Sequence, residues 1–261
     1  MALAAIPFGL MIGLAVGMLG GGGSVLAVPV LVYVLGQGVH EATTASLVIV
    51  TAGALADGLG HARGGRVCWR HAGAFSVAAL PGVVGGTALG NAVSGGALIA
   101  AFALIMLLAA AATWRRASRA AVGGELRMRP SCPPLRLARD LAAGLLIGVM
   151  TGFFGVGGGF LIVPALLIFL SLSMRLAVGT SLTIITITSV MGLVAHLLAG
   201  RSLDVGVTAT MTVACVAGAL AGVSVAARVP QRVLGRGFAG LLTGVASYLL
   251  VSAALLGGPP G

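Results

Sequence analysis

The residues best placed to do chemistry in this chain are small and uncharged. Gly20, Gly21, Gly22, Gly23 and Ser24 follow one another, and Gly155, Gly157, Gly158 and Gly159 repeat the pattern 135 residues later. Glycine lets the backbone take left-handed angles and lets a ligand approach closely. Each cluster precedes a new helical stretch, starting at Val25 and at Phe160. The first amides of a helix have no internal acceptor, and that end carries partial positive charge. Two such ends facing one another would hold an anion without a lysine or arginine. Ser46, Thr180 and Ser181 stand at the start of the apolar segment after each cluster, with Thr43 and Thr44 beside Ser46. Their hydroxyls can cap a helix or bind an oxyanion. Pro29 and Pro164 follow the clusters at matching positions and are candidate hinges.

A second set of residues carries charge. Asp57 is the one carboxylate well inside an apolar segment, and His61 lies four residues on. An ionisable side chain inside a membrane helix marks a proton or ion route by default. Yet the repeat places Gly192 opposite Asp57, so a role for Asp57 would be one-sided. His61 pairs with His196 by the same offset, and Arg66 with Arg201. These four sit where the second apolar segment of each half ends. They are either a cationic funnel at each mouth or interfacial residues that set orientation.

The elements that must position these groups are also duplicated. Residues 9–66 align with 144–201 without a gap, with 21 identities in 58 positions. Hydrophobic residues make up 59% of the chain and charged residues 8%. A soluble domain needs far more charge on its surface. Apolar segments run over 2–35, 42–60, 72–93, 96–114, 141–170, 176–199, 205–227 and 237–256, so an all-α integral membrane fold is expected. It divides into two four-segment repeats, 1–114 and 140–261, joined by a basic linker over 115–139. Met1–Leu19 lacks a basic leader, so no cleavable signal is expected.

The first segment of each repeat is too long for one crossing and is broken at its glycines. Residues 141–170 would extend about 45 Å as one helix, against a hydrocarbon core of about 30 Å. Either a tilted helix with an unwound middle or a re-entrant hairpin fits. If each long segment crosses once, Arg228, Arg232 and Arg236 lie outside, against the positive-inside rule. If each returns to its starting side, the halves become inverted repeats. Then Arg63, Arg66, Arg70, the linker and the 228–236 cluster all share the cytoplasm, which favours the inverted arrangement. Glycines spaced by four, Gly9/Gly13/Gly17, Gly144/Gly148/Gly152, Gly82/Gly86/Gly90 and Gly218/Gly222, are expected to serve close helix packing.

Other functions are disfavoured. All 15 basic residues are arginines between apolar segments, so the net charge of +10 sets topology and does not imply nucleic acid. Cys68, Cys132 and Cys215 show no paired spacing, which predicts neither a disulfide frame nor a metal site. Scattered histidines and five acidic residues make no catalytic set, so an enzyme is not expected and no cofactor is implied. No nucleotide-binding motif is present, so a gradient must supply the energy. One charge moving through 100 mV is worth about 2.3 kcal/mol. The expected partners are a small anionic solute and the bilayer. Assembly into homo-oligomers is compatible with the chain but not specified by it.

The segments G-M-L-G-G-G-G-S-V-L-A-V-P-V-L and G-F-F-G-V-G-G-G-F-L-I-V-P-A-L, with A-V-G-T-S-L at 177–182, resemble the sulfite exporter TauE/SafE family. The resemblance runs from about residue 8 to 252. It implies a multi-pass permease of the bacterial inner membrane, linked to export of sulfite or organosulfonates. The first half departs from the pattern at A-T-T-A-S-L, where Ala45 replaces the hydroxyl of Thr180. The alternatives are a permease or channel for another solute, a metal cation among them, and a membrane accessory protein. A cation site would call for paired carboxylates or Cys/His clusters within the spans, and only Asp57 qualifies.

Overall fold

The computed structural model describes residues 2–21, 23–90, 95–122, 132–154, 159–170, 172–198 and 203–256, and every regular element among them is helical. The first half comprises α1 (Ala2–Leu19), α2 (Ser24–Pro29), α3 (Val39–Arg63), α4 (Trp69–Gly90) and α5 (Gly95–Val122). The second comprises α6 (Leu137–Phe154), α7 (Gly159–Phe169), α8 (Met174–Leu198), α9 (Val205–Arg228) and α10 (Gln231–Leu256). α5 runs past the expected boundary at 114, because Arg115 to Val122 is rich in alanine and arginine, both good helix formers. The next residues in sequence are Gly123 and Gly124.

Polarity is arranged as in a bundle that faces lipid. Val77, Val84, Leu104, Leu108, Val213 and Leu220 are exposed, whereas Thr44, Ser46, Asp57, His61, Thr180 and Ser181 are buried. Soluble monomers rarely show broad apolar surface of this kind. Among the described residues, Glu41–Arg63, Met174–Val194 and Val205–Ala226 are helices long and apolar enough to cross a membrane. Ala5–Leu19, Ala101–Arg115 and Gly159–Phe169 are shorter apolar helices.

The packing between halves is reciprocal. α1 lies against α9, and α4 against α6. At the offset of 135, α1 corresponds to α6 and α4 to α9, so exchanging the halves maps one pair onto the other. Both pairs are parallel and glycine-mediated. Gly9 faces Met211 and Ala214, and Gly17 faces Ala219 and Gly222. Gly144 faces Phe75 and Ala78, and Gly86 faces Val149 and Phe153. A Cβ on Gly13 would lie 2.8 Å from the Ala219 amide nitrogen, and one on Gly148 would lie 2.8 Å from Ala79 Cα. The packing role expected of these glycines is therefore seen directly. α3 and α8 correspond to each other and run antiparallel through the centre. Gly58 meets Leu182, Gly192 meets Leu47, and Gly179 meets His61 and Arg66.

One end of the bundle gathers the connections that carry arginine. There the starts of α4 and α6 are joined by a disulfide between Cys68 and Cys132. This corrects the expectation that the cysteines form no bridge. Their separation of 64 residues resembles no spacing motif, and it is helix packing that brings them together. His71 Nδ1 lies 2.8 Å from Asp140 Oδ2, and His71 Nε2 lies 3.0 Å from the Pro133 carbonyl. The Arg139 guanidinium reaches Asp140 Oδ1 at 3.4 Å. Nearby, Arg236 at the start of α10 stacks over Trp114 in α5, 5.5 Å from the ring centre. Cys215 remains a free, buried thiol, packed against α1 and α3.

Candidate functional site

The chain reverses direction at the first glycine cluster. Gly20 and Gly21 adopt φ of +63° and +99°, angles that residues with a Cβ take only at a cost. After the turn, a Cβ on Gly23 would lie 2.6 Å from the Ile12 carbonyl oxygen and 2.7 Å from the Val16 amide. Ile12 is about 10 Å below the end of α1 at 1.5 Å per residue, so α2 runs back alongside the helix it left. The Ser24 hydroxyl and amide both donate to the Gly21 carbonyl, at 2.6 and 3.2 Å. That closes the turn and starts α2. Among the described residues, neither the Gly21 nor the Gly23 amide donates to a backbone carbonyl.

Pro29 ends α2, and the chain continues as a π-helical turn over Val30–Val34. Leu35 N–H reaches back to the Val30 carbonyl at 3.1 Å. Proline lacks the amide that regular winding requires, and π turns often accompany functional sites. Pro164 lies within α7, which runs from Gly159 to Phe169 without interruption.

The first turn meets the second half at the centre of the bundle. A Cβ on Gly159, the first residue of α7, would lie 2.7 Å from Ser24 Oγ and 3.3 Å from the Gly21 carbonyl oxygen. Ser24 and Gly159 are equivalent at the offset of 135, so the contact is one position meeting its own repeat. α8 forms the floor. Ser181 Oγ donates to the Gly20 carbonyl at 3.0 Å and to the Val178 carbonyl at 2.8 Å. Ile185 Cδ1 would lie 3.1 Å from a Cβ on Gly159 and also packs on Gly21.

The structure thus brings Gly20, Gly21, Ser24, Gly159 and Ser181 together, with Gly23 on the adjoining turn. Ser46 Oγ donates to the Thr43 carbonyl of its own helix at 2.8 Å, as its repeat partner Ser181 does to Val178. Thr51 and Thr186 likewise bond back to Leu47 and Leu182. Thr180 faces away from the turn, and its Oγ1 accepts the Cys68 amide at 3.1 Å. Gly22, Gly155, Gly157, Gly158, Arg201 and the His196 side chain lie outside the described residues. Sequence reasoning missed Ile185, His71 and Asp140. Ile185 is one apolar residue among many, but His71 and Asp140 each fall in the first turn of their helix, a matching depth that was readable.

Asp57 and His61 line the part of α3 next to the first turn. Asp57 has no exposed surface and His61 is 4% exposed. Neither carboxylate oxygen and neither imidazole nitrogen has a hydrogen-bond partner among the described residues. Asp57 Oδ2 would lie 3.0 Å from a Cβ on Gly17, and His61 Cβ 3.1 Å from one on Gly179. Arg66, half-buried in the loop after α3, donates its amide to the His61 carbonyl at 2.9 Å.

Comparison with known proteins identifies relatives. A probable membrane transporter protein of Xylella fastidiosa (strain 9a5c) is 37% identical over 179 residues, covering 68% of this chain and 67% of its own length. The probable membrane transporter protein YunE of Bacillus subtilis (strain 168) is 24% identical over 212 residues, covering 75% of this chain and 78% of its own length. No solved structure matches the chain. The family described as sulfite exporter TauE/SafE matches residues 5–249. A glycine-turned, lipid-facing helical bundle matched over nearly its whole length in this way is a membrane transporter, and the chain belongs to the sulfite exporter TauE/SafE family.

Proposed function

We propose that this protein exports a small sulfur oxyanion or organosulfonate, such as sulfite, across the bacterial inner membrane. The observation that carries this reading is the meeting of Gly21 and Ser24 with Gly159 at the start of α7, with Gly20 seated on Val178 and Ser181 of α8. Two helix beginnings there approach one point from opposite halves, and unwound backbone at membrane depth is tolerated only where it is buried or lines a cavity. Amide hydrogens and the positive ends of two short helices select negative charge.

The halves act as inverted repeats in this reading. Antiparallel α3 and α8, and the exchange of the α1–α9 and α4–α6 pairs, support it. So does the gathering of the loop after α3, Cys132 with the start of α6, and Arg236 at one end. By the positive-inside rule that end faces the cytoplasm. Rocking of one half against the other would expose the anion to each side in turn.

Labelled sulfite loaded into proteoliposomes tests the proposal, with sulfate, thiosulfate and sulfonates as competitors. Wild-type protein should accelerate sulfite efflux, and competition should rank the related anions. Gly20→Ala should reduce that flux at least about tenfold, since the left-handed angle alone costs about 1–2 kcal/mol and the Cβ would meet Val178 at 2.8 Å. Gly36→Ala is the control, because Gly36 has φ of +67° with nothing within 4 Å of its Cβ position. Flux unaffected by Gly20→Ala would exclude the turn as the site.

A further inference from the structure

We propose that Asp57 and His61 form a proton-carrying pair that links the first glycine turn to the arginine-bearing end of the bundle. The two residues are one helical turn apart on α3, so their side chains share a face. Both are more than nine-tenths buried, and neither has a hydrogen-bond partner among the described residues. Buried polar groups are almost always satisfied, so two adjacent exceptions in one membrane helix call for an explanation. Asp57 stands against Gly17, three residues before the left-handed Gly20. His61 stands against Gly179 of α8, close to the loop that carries Arg66. The pair therefore lies alongside the turn, with His61 nearer the loop that carries Arg66.

The surroundings offer little else that titrates. α1 contributes glycine and apolar side chains, with no ionisable residue along its length. α9 brings the Cys215 thiol toward this face, beside Gly53, and Val223 onto Gly60, with Arg228 five residues further on at its C-terminus. α8 presents Gly179 to His61 and Leu182 to the neighbouring Gly58, with Arg175 a turn before Gly179 and His196 near its other end. α3 itself adds His40 and Glu41 at its start and Arg63 at its end. A single carboxyl and a single imidazole are too few ligands for a metal ion, but they suffice to pass a proton. The repeat partner of Asp57 is Gly192, so the route opens toward one end only. The coupling of this proton to anion movement rests on the transport reading above, whereas proton binding by Asp57 does not.

Infrared titration of the purified full-length protein reads the site without any substrate. The chain has only five acidic side chains, so a carboxylic-acid stretch from a buried Asp57 should be resolved. It should disappear as the pH is raised and be absent from Asp57→Asn. Asp57→Glu, should the asparagine variant fail to fold, should retain a stretch at a shifted frequency. Exchange of that proton with deuterium should be slower in His61→Gln. No stretch assignable to Asp57 at any pH where the protein is folded would overturn the proposal, as would one that His61→Gln leaves unchanged in exchange rate.

Coupling is then read in proteoliposomes with the membrane potential clamped, as the ratio of sulfite flux with a pH gradient to flux without one. A ratio of about ten, typical of a coupling free energy between sites, should fall to about one in Asp57→Asn. A wild-type ratio of one overturns the coupling. Wild-type vesicles that carry no sulfite under any condition overturn the transport reading instead, and the infrared result still decides the proton site.

Discussion

The parallel pairs α4–α6 and α1–α9 are packed by matching glycine ladders, but their starting ends are secured differently. At the start of α4–α6 stand the Cys68–Cys132 bridge, the His71–Asp140 pair and the Thr180 hydroxyl on the Cys68 amide. At the offset of 135, Leu203 replaces Cys68, Gly206 replaces His71 and Ala45 replaces Thr180, while Ala5 occupies the position equivalent to Asp140. At the start of α1–α9 Asp204 caps α9 itself, accepting the Gly206 and Val207 amides at 2.8 and 3.1 Å. A shared backbone plan thus carries two kinds of fastening. Among the described residues, one pair is joined covalently, and the other is held by the packing of its glycines and apolar side chains. If one half rocks against the other, relative sliding of helices should be confined to α1–α9.

The largest effect should come from Asp140→Ala. It removes one partner of a pair whose side chains are 2% and 0% exposed, which costs about 3–5 kcal/mol. Thermal unfolding in detergent would measure it, and a double-mutant cycle with His71→Ala would separate the pair from the separate losses. A small effect would mean that α4 and α6 are held by glycine packing as α1 and α9 are. Cys132→Ser should cost about 2–4 kcal/mol, and added reductant should lower the melting temperature of the wild type but not of the variant. The same bond tests the orientation. A reducing cytosol would keep the cysteines as thiols, so a membrane-permeant maleimide should label Cys132 in intact cells if this end is cytoplasmic. The smallest effect should come from Asp204→Ala, about 1 kcal/mol for a lost helix cap. A loss as large as that of Asp140→Ala would erase the contrast between the pairs.

Much of the architecture was legible because membrane helices must satisfy their own backbone. Long apolar segments therefore become helices, and a repeated sequence becomes a repeated shape. The glycine ladders were legible for a similar reason, since small residues at a spacing of four let two backbones approach. The direction of the chain after Gly20 was not legible. Glycine permits a reversal and an unwound crossing equally, and the choice is made by contacts such as Gly23 on Ile12. The fastening at α4–α6 was missed because its one signal, the matching depth of His71 and Asp140 in their first turns, says nothing of which helices pair. Cys68 and Cys132, like His71 and Asp140, become neighbours only through α4–α6 packing. At the central cluster, sequence pointed to Gly20, Gly21, Ser24, Gly159 and Ser181, but as strongly to Ser46 and Thr180, which the fold turns to other partners, and it did not say where the hydroxyl hydrogens point. Ser24, Ser46 and Ser181 all direct theirs to carbonyls.

The Cys68–Cys132 bond also makes residues 68–132 a closed ring that contains both α4 and α5. A peptide cut anywhere within that ring would leave the two fragments as one species on a non-reducing gel. Because α5 packs along α10, the ring encloses a helix of the first half whose partner is the last helix of the second. Once the bond is formed, fragments cut inside the ring stay joined through it, whereas fragments cut between α1 and α3 have only noncovalent contacts to hold them.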